Sequence, residues 1–111
     1  MITVRVNLTA RLGKQQELVQ SIRRLKNKIA EERGCIACRV YQNLDNPDEF
    51  VVFEQWKNEK QAKAHLDSEN MAVLVGAGSV LSRDISVSLT KESSTADIEQ
   101  NFKERMVREE K

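Results

Sequence analysis

The sequence predicts an α+β fold in which helices pack on one face of an antiparallel sheet. Three observations lead there. Segments near both ends of the chain alternate apolar and polar residues, a more continuously apolar strand follows a tight turn mid-chain, and helical periodicity fills the intervals. A length of 111 residues suits a domain with a single core.

In "ITVRVNLTA", Ile2, Val4, Val6 and Leu8 share one face, and Thr3, Arg5, Asn7 and Thr9 share the other, which makes the first strand. Gly13 breaks the chain. In "QQELVQSIRRLKNKIAEER", Leu18, Ile22, Leu25 and Ile29 then recur as one helical stripe, with Gly34 as the C-terminal stop. A strand from about Cys35 to Gln42 runs into "LDNPDE", whose Asp45, Asn46 and Pro47 form a turn short enough to give an antiparallel hairpin. "FVVFEQW" is apolar on both faces, as in an inner strand or one covered by a partner. Asn58 and Gln61 resemble a capping box that opens a helix through Ser68. "ENMAVLVGAGSVL" reads as a short helix and a loop, and "SRDISVSLT" as a last strand with Ile85, Val87 and Leu89 on one face.

Strand, helix, strand, strand, helix, strand is the ferredoxin-like βαββαβ order. Apolar groups on both faces of the sheet call for a cover on the side without helices, and a second copy of the chain is the economical one, giving a homodimer. The domain so defined spans 1–92. In the tail, 93–111, Ser94 and Asp97 make a second possible capping box. Ile98, Phe102 and Met106 recur every four residues, as in a narrow amphipathic helix.

Composition narrows the function. Charged residues make up 32% of the chain but the formal net charge is only +1, which lacks the basic excess that nucleic-acid binding requires. No apolar run reaches membrane-spanning length and no leader pattern opens the chain, so a cytoplasmic protein with no membrane partner is expected. Cys35 and Cys38 form a C-x-x-C. Residues three apart on a regular strand face opposite sides, and a zinc site would need a second ligand pair. Two reduced, largely buried thiols and no metal are therefore expected. Gly76 and Gly78 make no dinucleotide fingerprint, because its third glycine would fall at Leu81 and no strand leads in.

The only tryptophan and the only histidine lie close together in "FEQWKNEKQAKAHL". With "EERGC", "SENM" and the closing strand, this stretch resembles the antibiotic biosynthesis monooxygenase domain family, and within it the quinol monooxygenase-like members, over about residues 1 to 90. The resemblance implies a dimeric α+β barrel and, in many members, oxidation of phenolic or quinol substrates by O2 without flavin or metal. It implies a functional role for His65 on the second helix, with Trp56 and Glu54 as a strand-end pair. Asn7 lies near a functional asparagine of haem-degrading relatives. Two departures stand out. Cys38 occupies the place of a tyrosine common in relatives. Val75 aligns with the axial histidine of haem-degrading members, and residues 66–111 hold no histidine at all.

The chemistry so implied needs no cofactor. A phenol or quinol that loses its proton becomes an anion able to reduce O2, so the protein must bind it in a dry cavity, take the proton and stabilise the anion. Imidazole suits that task near neutral pH. His65 is then the catalytic base or the anion's partner, and Trp56, Asn7, Glu54 and Cys38 line the substrate cavity. Each residue also has a plainer role: His65 satisfied at the edge of the core, Trp56 a core anchor, Glu54 paired with an Arg or Lys across the sheet, Asn7 bonded to a neighbouring strand. A small-molecule-binding dimer without turnover is the alternative function, and a haem binder using His65 a lesser one.

Overall fold

The computed structural model describes residues 1–91; the tail expected at 93–111, with its second capping box, lies outside the described residues. Element order is β1 (Ile2–Ala10), α1 (Gln15–Ala30), β2 (Cys35–Gln42), β3 (Glu49–Trp56), α2 (Glu59–Leu66), α3 (Glu69–Leu81) and β4 (Ser82–Lys91). The strands form one four-stranded sheet in the order β2-β3-β1-β4, with every neighbouring pair antiparallel. This is the ferredoxin-like βαββαβ arrangement, with the second helical segment split in two.

Alternation along the strands sets which face is covered. Ile2, Val4, Val6 and Leu8 of β1 lie opposite Trp56, Glu54, Val52 and Phe50 of β3, and all eight are buried. The α1 stripe of Leu18, Ile22, Leu25 and Ile29 is buried as well. Each such side chain removed from water contributes about 1.5–3 kcal/mol, so this contact dominates the core. On β3 the other four residues, Glu49, Val51, Phe53 and Gln55, are half-buried, so the open face is less enclosed than the helix-covered one.

Local chemistry fixes the turns. Gly34 has φ +87, a backbone that disfavours side chains, and a Cβ there would run into the side chain of Gln61. Asn58 Oδ1 accepts from the Gln61 backbone N–H at 2.9 Å and so caps α2. The reciprocal bond of a full capping box is absent, because Gln61 Oε1 has no hydrogen-bond partner among the described residues.

Two expectations change. α2 ends at Leu66 rather than Ser68, and Ser68 instead caps a new helix, its hydroxyl accepting from the Met71 N–H at 3.2 Å. The stretch expected to be a short helix and a loop is thus one 13-residue helix, α3, with both glycines inside it. Gly78 is there for space: an added Cβ would lie 2.6 Å from Ile85 Cδ1 and 3.1 Å from Leu8 Cδ2. The second change concerns the cysteines. A register shift between Cys35 and Ala37 sets Cys35 opposite Trp56 and Cys38 opposite Glu54, so the bulge turns both toward the helix-covered face. Both thiols are free, Cys38 buried and Cys35 half-buried.

Candidate functional site

The C-terminal end of β3, the last turn of α2 and the loop after α1 meet at one largely buried polar cluster. Glu54 and Trp56 are two apart on β3, so both side chains face the helices. His65 lies on the buried side of α2, beside Ala62 in the helix's short inward face. Trp56 and Glu54 are fully buried and His65 is 1% exposed. The indole and imidazole rings stack, with centroids 4.5 Å apart and planes inclined by 21°.

Two carboxylates hold the imidazole between them. His65 Nδ1 lies 2.9 Å and 3.1 Å from the two oxygens of Glu32, whose Oε2 also accepts from Asn70 Nδ2 at 3.2 Å. His65 Nε2 lies 2.8 Å from Glu54 Oε1, although the ring N–H is not aimed at it, so this contact is ionic rather than a well-formed hydrogen bond. The same Oε1 accepts from the Trp56 indole N–H at 3.1 Å. Glu54 Oε2 is buried and has no hydrogen-bond partner among the described residues. An unmet buried acceptor of this kind costs about 1–3 kcal/mol.

Charge follows from this geometry. Burial by itself would lower the imidazole's pKa, since it penalises the charged ring; Glu54 and then Glu32 outweigh it and hold His65 above its ordinary 6.5. The ring therefore keeps its proton to higher pH than a free imidazole does, and the protonated ring stacks more strongly on Trp56. Burial, with Glu54 next, pushes the Cys38 thiol up to about 12. Burial followed by the same carboxylate raises Cys35 too.

The structure brings together three of the residues singled out in the sequence, His65, Trp56 and Glu54, with Cys38 beside Glu54 in the sheet register. It does not bring Asn7 to them. Asn7 is on the open face, exposed, and its Nδ2 donates to Ser86 Oγ at 3.3 Å. Nor does Glu54 pair with an Arg or Lys across the sheet: its register neighbours are Val4 and Cys38, and its partners are Trp56 and His65. Glu32 and Asn70 were not singled out. A signal for Glu32 existed, since it lies three residues beyond Ile29 and so continues the apolar stripe of α1 with a carboxylate. Asn70 offered none.

A cleft of about 300 Å³ opens between α1 and the β2–β3 strands, lined by Val19, Arg23, Lys26, Val40, Tyr41, Gln42 and Phe50. It lies on the same side of the sheet as the acid–base cluster but is not lined by His65, Trp56 or Glu54. Among the described residues no three His, Cys, Asp or Glu side chains are grouped so as to hold a metal ion. Haem ligation by His65 does not fit either, because both ring nitrogens already face carboxylates and the ring is enclosed. No helix among the described residues is long and apolar enough to cross a membrane.

Comparison with known proteins places this chain in a family. No curated protein matches the chain. Among solved structures, a candidate antibiotic biosynthesis monooxygenase from Deinococcus radiodurans superposes with a TM-score of 0.80 at 21% identity, over 86% of this chain and 95% of that one. One of the same description from Nitrosomonas europaea gives 0.75 at 18% identity, over 83% and 98%. A conserved protein from Methanosarcina mazei gives 0.75 at 25% identity, over 83% and 92%. These likenesses establish the fold. The sequence pattern described as antibiotic biosynthesis monooxygenase matches residues 1–76, more than half of the chain. The chain therefore belongs to the antibiotic biosynthesis monooxygenase family.

Proposed function

We propose that this protein is a cofactor-independent monooxygenase that oxidises a small quinol- or phenol-like aromatic with O2. The observation that carries the reading is the cluster of Glu32, His65, Glu54 and Trp56, the last three fully enclosed, in a chain of this family. Deprotonating a phenol creates the electron-rich anion that O2 attacks, and the step needs a basic group shielded from water and a nearby positive charge. Glu54 supplies the first and the His65 imidazolium the second. The α1/β2 cleft, with apolar Val19, Val40 and Phe50 below a rim of Arg23 and Lys26, suits an aromatic ring that becomes anionic.

A second copy of the chain covers the open sheet face in this reading. That face is amphipathic along its length. Phe53 lies between Arg5 and Arg39 in the register, with the Arg5 guanidinium 5.6 Å from the ring centroid, while Thr9 lies between Glu49 and Asp84 further along. A two-fold axis lying in the interface and across the strands would set the basic end of one copy on the acidic end of the other.

The test is oxygen uptake by the purified protein with a panel of hydroquinones and anthrones, corrected for autoxidation. Uptake above background that falls at least about tenfold in Glu54→Gln and in His65→Ala is the expected result. The complete enclosure of His65 and Trp56 favours a second reading, a binding dimer of the same fold without turnover. Saturable binding of the same aromatics with no uptake would select it.

A further inference from the structure

We infer that Glu54 Oε2, rather than His65, is the atom that receives the hydroxyl of an aromatic ligand entering between α1 and β2. The inference rests on the phenolic substrate class proposed above.

His65 has no free edge to offer. Its Nδ1 faces both oxygens of Glu32, its Nε2 lies 2.8 Å from Glu54 Oε1, and one ring face is covered by Trp56. To touch a ligand it would have to break one of these contacts. Glu54 is arranged the opposite way. Its Oε1 meets the indole N–H of Trp56 and the imidazole, and its Oε2 is buried without a donor among the described residues. A carboxylate oxygen can only accept, so what it lacks is an O–H or N–H from outside the fold. His65, Trp56 and, through His65, Glu32 are then positioning residues.

The route from the cleft runs along one face of the sheet. Cys38 and Glu54 are register partners, and the next helix-facing pair is Val40 with Val52. Helix-facing residues on a strand are about 7 Å apart. Val40 lines the cleft, so a single aromatic ring resting there spans most of the distance to Glu54, with Cys38 as the only side chain of β2 in between.

In turnover the ligand's O–H bond breaks and its electron pair stays on the ligand oxygen, while the proton forms a new O–H bond on Glu54 Oε2. The net charge of the cluster and ligand is unchanged by this transfer. The adjacent His65 imidazolium and the Arg23 and Lys26 rim face the phenolate that results.

The probe is 4-nitrophenol, whose absorption moves to the visible when its hydroxyl is donated to a strong acceptor or lost. It is titrated into wild type, Glu54→Gln, His65→Gln and Val40→Phe below the pH at which free nitrophenol ionises. Circular dichroism checks each fold, and Trp56 fluorescence reports binding independently in every variant. The expected result is a red shift on binding to wild type that persists in His65→Gln. The shift disappears in Glu54→Gln, whose affinity falls roughly tenfold or more, and Val40→Phe weakens binding by obstructing the cleft. A shift that survives Glu54→Gln, or that is lost in a folded His65→Gln, would overturn the assignment. So would failure of wild type to bind, or binding untouched by Val40→Phe, a site remote enough from the cluster to fold if Glu54→Gln does not. Because no step uses O2, binding at Glu54 without oxygen uptake leaves this inference standing and removes the monooxygenase reading.

Discussion

His65 and Trp56 can be followed one residue at a time, because each occurs once in the chain. The imidazole's folded pKa is raised, so the sign of the linkage is fixed: its stabilising contribution is fully present below about pH 6.5 and is lost as pH rises through the folded value. Urea unfolding of wild type and His65→Gln from roughly pH 6 to 9 should show wild type losing stability relative to the variant across that window. Parallel pH profiles would contradict the ion-pair account. An imidazolium stacked on indole also quenches its emission, so Trp56 fluorescence should rise with pH through the same transition. The thiols make a separate case. With Cys38 buried and pushed up to about 12, and Cys35 raised but half-buried, a disulfide reagent should modify Cys35 slowly and Cys38 only after unfolding. At this scale the sequence was informative where a residue was rare or out of pattern. His65, Trp56 and Glu54 could be read from it. Glu32 and Asn70 could not be joined to them, because loops and helices far apart in the chain meet there only through the fold.

Among the elements, α3 shows most clearly what local sequence conceals. Two glycines in an apolar stretch read as a helix and a loop, since glycine costs about 0.8–1 kcal/mol in a helix interior relative to alanine. Tertiary contact decides otherwise at Gly78, where the backbone approaches Ile85 and Leu8, whereas none of the described residues lies within 4 Å of a Cβ on Gly76. Gly76→Ala should therefore raise stability by about 0.5–1 kcal/mol, while Gly78→Ala should fall below it by about 1–2 kcal/mol, because the two methyl ends must be displaced. Denaturant midpoints measure both, and equal gains would show that Gly78 serves no packing purpose. The same lesson holds for β2. Strict period two separates Cys35 from Cys38, but a bulge, which leaves no mark in the hydrophobic pattern, returns them to one face. Periodic elements such as β1 and α1 were legible because burial on one side writes itself into the spacing.

For the whole molecule, the unresolved physical demand is the open sheet face, with Val51 and Phe53 half-buried and Tyr41 51% exposed. Covering it with a second copy accounts for those groups and for the separation of Arg5 and Arg39 from Glu49 and Asp84. Light scattering should give twice the chain mass, and Phe53→Glu should return the protein to a monomer by setting a carboxylate against the acidic end of the second copy. A wild-type monomer at micromolar concentration would remove the second copy from the account. The element order that led to this face was readable from the sequence; the charge polarity along it emerged only with the strand register. The central claim is that the buried acid–base cluster prepares an aromatic for direct attack by O2. Its most direct test is turnover of a hydroquinone under isotope-labelled dioxygen, followed by mass spectrometry of the product. The product of wild type should carry one labelled oxygen atom, and that of Glu54→Gln none above background. Unlabelled product, or label appearing equally in both proteins, would contradict it.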